Sequence, residues 1–388
     1  MARAAAHRST FWALVAAAIA VVLSTGACGR EDRVRLYVGT YTGLGSTGIY
    51  RVDFDRNSGR FVSEPAVAVQ TENPSFLAVS PTGRFVWAVN EQWRFNGERS
   101  GAVSAFQVDA SSGDLTLINQ QPSGGINPCF IDIDAAGRHA LVANYTSGTI
   151  AVFPIEADGR LLPASMVRGG TGTGPVRDRQ DGPHAHQVVF DPSKRFVLWT
   201  NLGSDWVAVD QYDAASGHLE PSTSIGVSVS PGSGPRHLAW HPSGKTVYLL
   251  NELSATVTLL KFDAASGTLT AGASVPARSL GATGVNTAAE IAVSSDGRFA
   301  YTSNRGDDNV MVFAIDRDTL VPSLVGHVAS GGHVPRHFAI DSTGRWMIVA
   351  NQESHVLAVF RIDAATGIPA PTGATVTIPS PVNVAFVR

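Results

Sequence analysis

Six times along the chain, apolar and polar positions fall in the same order: a short apolar strand, a turn rich in Pro, Ser, Asp and Gly, and a second apolar strand closing on asparagine. The segments are 73–91 (NPSFLAVSPTGRFVWAVNE), 127–145 (NPCFIDIDAAGRHALVANY), 182–202 (GPHAHQVVFDPSKRFVLWTNL), 234–253 (GPRHLAWHPSGKTVYLLNEL), 288–305 (AAEIAVSSDGRFAYTSNR) and 334–352 (VPRHFAIDSTGRWMIVANQ). Their closing residues, Asn90, Asn144, Asn201, Asn251, Asn304 and Asn351, recur roughly every 50 residues. A third strand of alternating character follows each one, at 103–108, 149–154, 207–212, 257–262, 310–315 and 356–362. Most units then turn, as through DAASG at 213–217 and 263–267, into a weaker fourth strand. Four antiparallel strands of this kind make one blade.

The two ends of the chain supply one more unit. Residues 36–40 (LYVGT) and 48–53 (GIYRVD) read as second and third strands with no first strand before them, and 381–387 (PVNVAFV) has the first-strand pattern with nothing after it. Sharing a blade would close the ring and remove a pair of exposed sheet edges. The predicted fold is therefore all-β, a seven-bladed β-propeller closed by its N- and C-terminal strands. A β-sandwich is the competing all-β reading, and seven similar units of this length argue against it.

This topology decides which residues meet. In a four-stranded blade the first strand lines the channel, so residues just before it and just after the second strand share one mouth, while the Pro-Ser-Gly turns lie opposite. That rule gathers His184, His186, Arg236, His237, Glu252, Arg305, Arg336 and His337, together with Asn90, Glu91, Asn144 and Tyr145. Ionisable groups are rarely placed where strands converge on a dry core unless they are paired or functional. The glycine-rich loop 169–187, carrying Arg177, Arg179 and Asp181, ends at the same mouth and reads as a wall or lid, or as a surface insertion. Its glycines lack the helix and Lys-Ser/Thr of a phosphate-binding loop. His184 and His186 have no third ligand at zinc-like spacing, so no metal is expected. A Gly-x-Ser-x-Gly elbow is also missing from the chain.

Residues 1–28 read as an export signal: Arg3 and Arg8 precede an apolar run over 11–23, too short for the roughly 20 residues of a membrane span, and a small-residue stretch ends at Cys28. Gly-Ala-Cys at 26–28 resembles a bacterial lipobox, so Cys28 is the expected lipidation site. Residues 29–35 are read as a short linker and 36–388 as the propeller. Cys129, the only other cysteine, then has no intramolecular partner and is read as a small buried residue at a strand start. A formal charge of −3 with no long basic run gives no reason to expect nucleic acid. The expected partner is a small molecule, with membrane attachment only through the lipid anchor, and the expected state is a monomer.

YVGTYT at 37–42, GPHAH at 182–186, GPRH at 234–237, NEL at 251–253, SNRG at 303–306 and PSPV at 379–382 resemble the lactonase-type propeller family, over nearly the whole mature chain. That family includes bacterial propeller 6-phosphogluconolactonases and fungal carboxymuconate cyclases. The resemblance implies a catalytic histidine, arginine, glutamate and second arginine. With FDP at 190–192 as anchor they fall on His186, Arg236, Glu252 and Arg305. His184, His237, Arg336 and His337 are the neighbouring candidates for substrate binding. The implied reaction is lactone hydrolysis without a cofactor, by water that neutral His186 activates while the two arginines hold negative charge and Glu252 orients an arginine or the histidine, or shuttles a proton to the departing ring oxygen. An exported enzyme would not meet a cytoplasmic phosphorylated lactone, so the substrate stays open. A cyclase or lyase acting on an unsaturated diacid could use the same residues, and a non-catalytic envelope propeller is the reading from another class.

Overall fold

The computed structural model describes residues 32–279 and 281–387, without the side chains of 221–225, so the expected export segment and Cys28 lie outside the described residues. Its strands form seven antiparallel sheets, six of them four-stranded and in chain order, as in Ala185–Phe190, Phe196–Asn201, Trp206–Tyr212 and Leu219–Ser228. We number the blades 1 to 7 from the sheet that opens with Phe76–Val79. Each first strand packs against the first strands of both flanking blades around the whole ring. Blade 7 joins Pro381–Phe386 to Arg33–Thr40, with Leu36 opposite Phe386 and Val38 opposite Val384. The expected seven-bladed propeller, closed by its two ends, is the fold observed.

One expected boundary moves. Residues 33–35, assigned to the linker, belong to the strand Arg33–Thr40, with Arg33 opposite Asp55 and Arg35 opposite Asp53. The reason lies in the alternation: Val34 and Leu36 turn inward, while Arg35 faces the other way and donates from Nε to Asp53 Oδ1 at 3.1 Å. Charge at the outward positions concealed a strand that was already paired.

Both faces of each blade are covered, which explains the continuous apolar second strands. Among the described residues the core divides into seven clusters, one at each junction between neighbouring blades. Leu249, wholly buried between blades 3 and 4, is representative. Truncating such a residue to alanine costs about 2–5 kcal/mol.

Five of the six recurrent asparagines tie their blade to the one before it, while Asn251 bonds Thr256 and Thr258 within its own blade. Nδ2 of Asn144, Asn304 and Asn351 donates to the backbone oxygens of Ser123, Ala277 and Ser330, each just past the preceding blade's last strand. All three are fully buried. Asn90 and Asn144 are therefore fasteners at the rim and leave the pocket to their neighbours. On the opposite rim, aspartates brace the turns: Asp191 accepts from the backbone amides of Ser193, Arg195 and Phe196.

Candidate active site

A repeated irregularity builds the mouth. In six blades the ladder between first and second strands slips near the start of the first strand. In blade 3, Ala185 faces Asn201 and Gln187 faces Thr200, leaving His186 as the extra residue; Arg236 and Arg336 hold the same place in blades 4 and 6. Cys129 and Val382 hold it in blades 2 and 7, whereas in blade 5 Ala289 and Glu290 together face Ser303. A bulged residue escapes the alternation of the strand and can be re-aimed. Hydroxyls of the second strand satisfy amides freed by the slip: Gln187 N donates to Thr200 Oγ1 at 3.0 Å, and Glu290 N to Ser303 Oγ at 3.1 Å.

Three of the bulged side chains, Cys129, His186 and Arg336, line a cavity of about 270 Å³ at one end of the channel, and Arg236 lies just beneath it. Glu252, immediately after the second strand of blade 4, is its electrostatic centre. Its Oε2 accepts from Arg236 Nε at 3.0 Å and lies 3.2 Å from Arg305 Nη2, while Oε1 accepts from Arg179 Nη2 at 2.6 Å. Burial alone would raise the Glu252 carboxyl, but the three guanidinium groups outweigh it and hold it at about 2. It is a fixed anion, and a weak base.

His186 Nε2 lies 3.8 Å from Glu252 Oε2, beyond hydrogen-bond reach, and the ring is packed edge-on against Tyr145 and His237. Burial, then the charge of Arg236, holds its pKa well below 6.5, so it is neutral at pH 7. Cys129 Sγ donates to the His186 carbonyl oxygen at 3.3 Å; burial pushes its thiol upward, so it packs beside the histidine as a thiol.

Across the cavity stand Tyr41, Glu91 and Arg336. Tyr41 donates to Glu91 Oε2 at 2.9 Å, and the Arg336 guanidinium lies over the Tyr41 ring at 5.2 Å. Arg336 makes no hydrogen bond or ion pair with any described residue. Of the three arginines that line the cavity, Arg179 and Arg305 are committed to Glu252, as is Arg236 beneath it, and Arg336 is not.

The structure brings His186, Arg236, Glu252 and Arg305 together within hydrogen-bond or near-contact range. The other four candidates separate. Arg336 lines the cavity, while His184 stacks on Tyr145 at 4.6 Å in the wall and bonds Asp181 at 3.1 Å. His237 and His337, one residue past the bulges, point down the channel to Glu290 and sit edge-on to Phe76. Loop 169–187 forms a wall: buried Gln180 donates to Leu202 O at 2.8 Å and Asp205 Oδ1 at 2.9 Å, and this anchorage delivers Arg179 to Glu252 and to Tyr145. Tyr41 and Glu290 were not singled out in the sequence, and Arg179 was named only as one of three charges on its loop. For Glu290 a signal existed, a lone acid inside the apolar strand TAAEIAV. Among the described residues no group of three or more His, Cys, Asp or Glu side chains is arranged to hold a metal.

The 6-phosphogluconolactonase of Bacillus subtilis is 35% identical over 300 residues, 77% of this chain and 83% of the relative. That of Formosa agariphila is 35% identical over 308 residues, 78% of this chain and 85% of the relative. The solved periplasmic gluconolactonase of Pseudomonas aeruginosa superposes with a TM-score of 0.85 at 34% identity, covering 92% of this chain and 99% of that one. Residues 35–386 match the family described as lactonase, seven-bladed beta-propeller, and the chain belongs to it.

Proposed function

We propose that this propeller hydrolyses an anionic sugar lactone, with His186 as the base that activates water. The relatives named for 6-phosphogluconolactone and gluconolactone support lactone hydrolysis as the reaction class. The observation that carries the finer reading is the division of the arginines: Arg179, Arg236 and Arg305 surround Glu252, whereas Arg336 faces the cavity with no protein anion bound. Glu91 and Glu252 favour the charged form of Arg336 from a distance, yet none of its N–H groups is taken by the protein, so the guanidinium is free to bind a ligand anion in the cavity. The substrate's carboxylate or phosphate would be that anion.

In the proposed reaction, water bound between His186 Nε2 and the lactone carbonyl attacks carbon and gives its proton to His186. The oxyanion that forms is stabilised by N–H groups of Arg236 and Arg305. Collapse breaks the ring ester bond, the departing ring oxygen takes the proton from His186, and the hydroxy acid leaves. Glu252 stays ionised throughout and keeps the arginines aimed. We further propose that the domain is exported and anchored through Cys28, with its site opening on one face of the ring.

The test is steady-state hydrolysis of plain, carboxylated and phosphorylated aldonolactones by the mature domain. Anionic members should be preferred, and His186→Ala should abolish most of the rate. If no member is opened faster than in buffer, or if His186→Ala keeps the wild-type rate, the reading is wrong.

A further inference from the structure

Below the cavity, the channel holds a second group of ionisable side chains that the proposed chemistry does not touch. Glu290, 7% exposed, bridges two buried histidines: His237 Nδ1 lies 3.2 and 3.1 Å from its two oxygens, and His337 Nε2 lies 3.5 Å from Oε2. The Ile291 amide also donates to Oε1 at 3.0 Å. Each histidine is engaged on its far side as well. His237 Nε2 lies 3.3 Å from Arg236 Nη1, and His337 Nδ1 accepts from the backbone amide of Val384 at 3.3 Å. Phe76 sits edge-on to both rings and Phe130 to His237, which closes the group off from below.

The donors decide the protons. Arginine and a backbone amide can only donate, so His237 Nε2 and His337 Nδ1 must be the bare nitrogens. The remaining proton of His237 is then on Nδ1 and that of His337 on Nε2, and both point at Glu290. A carboxylate accepts from His237 Nδ1 and from the Ile291 amide and places Oε2 3.5 Å from His337 Nε2, whereas an amide in either orientation would set its N–H groups against Ile291 or the histidines. We propose that Glu290 is a positioning residue for the lactonase site: it fixes the tautomer of His237, whose Nε2 then holds Arg236 against Glu252. This inference rests on the hydrolase reading above. Arg236 also donates from Nη1 to the carbonyl oxygen of Ala289, the residue beside Glu290, so a single strand both braces the guanidinium and supplies the acid that orients its neighbour.

The charged and titratable groups facing Glu290 are Arg236 and His237 from blade 4, Arg336 and His337 from blade 6, and Cys129 from blade 2. Burial lowers both histidines, so neutral imidazoles are the favoured forms; it also raises the Glu290 carboxyl, which the charges of Arg236 and Arg336 and the Ile291 amide oppose in favour of the carboxylate.

Two measurements test this. In the ¹⁵N-labelled wild-type domain, long-range ¹H–¹⁵N spectra at pH 7 should find His237 protonated on Nδ1 and His337 on Nε2. The opposite tautomer at His237 overturns the proposal, and this readout needs neither a variant nor a substrate. In kinetics, Glu290→Gln keeps the shape but replaces an acceptor by a donor. It should lower kcat tenfold or more with KM changed less than threefold, while Glu290→Asp recovers part of the rate. In an Arg236→Lys background the same change should cost less than threefold, because the residue it acts through is already altered. A folded Glu290→Gln enzyme with kcat within threefold of wild type, or an equal loss in both backgrounds, overturns the proposal. If wild type opens no lactone, the function reading fails on its own and the tautomers still judge the network.

Discussion

Replacing Glu252 by glutamine removes one negative charge from among three guanidinium groups and keeps the side chain's shape. Its carboxyl moves from an ordinary 4.5 to about 2 in the folded protein, which corresponds to about 3 kcal/mol of stability at neutral pH. Because the folded value is the lower one, that contribution is complete above pH 4.5 and is lost as pH falls toward 2. Urea unfolding of wild type and Glu252→Gln, run side by side, should thus give a gap of about 3 kcal/mol at pH 7 that shrinks to roughly half by pH 3. The loss should fall mainly on Arg236, whose side chain is 3% exposed, since Arg179 at 36% can turn toward water. Sulfate should then stabilise the variant more than the wild type, by entering the cavity beside Arg179 and Arg305 and supplying the missing counter-charge. Equal stability at pH 7, or a gap that widens in acid, would refute the view that Glu252 is the anion holding the arginines in place.

His186→Ala should lower kcat by about two orders of magnitude, as for loss of a general base. Because burial holds the neutral imidazole below 6.5, kcat/KM of the wild type should stay level between pH 8 and pH 6 and fall only in more acid solution; an acid limb centred at 6.5 or above contradicts this. Arg336→Ala should raise KM for an anionic lactone by about 10- to 100-fold, the worth of a charged hydrogen bond, and leave a neutral lactone almost unaffected. Exhaustive chelation should leave lactonase activity intact, and recovery that depends on added metal would point back to His184 and His186. Cys28→Ala should move the protein from the membrane fraction to the soluble fraction, a result excluded if wild type is already soluble with a different mature N-terminus.

The blades were legible because local rules repeat: apolar strands of matched length, turns braced by aspartate, and a closing asparagine that in most blades fastens it to the last. The mouth was legible because strand direction alone puts 186, 236, 252 and 305 on one face. What pattern could not reveal was the bulge. Simple alternation sends neighbours to opposite sides but leaves open which of Arg236 and His237, or Arg336 and His337, points up into the cavity. The slipped register answers that, sending Arg236 to Glu252 and Arg336 into the cavity while both histidines turn to Glu290. Glu290 was hidden for a related reason, since its partners lie in the blades on either side, more than 40 residues away in sequence. Arg179 could not be told from Arg177 until the anchorage of Gln180 was known.

The slipped register also separates two demands that usually compete. At most strand positions a side chain serves pairing and packing, so changing it disturbs the sheet. At the second residue of a first strand the ladder already tolerates an unpaired member, and that residue's identity is largely free of the sheet's requirements. Cys129 and Val382 occupy this place in blades 2 and 7 with small or apolar groups. The ring thus behaves like a turret of equivalent sockets, some holding arginine or histidine and others holding little. Refitting a socket would redraw the charge and width of the cavity while leaving the barrel of strands beneath it unaltered, a route by which one scaffold could move between lactones of different size and charge.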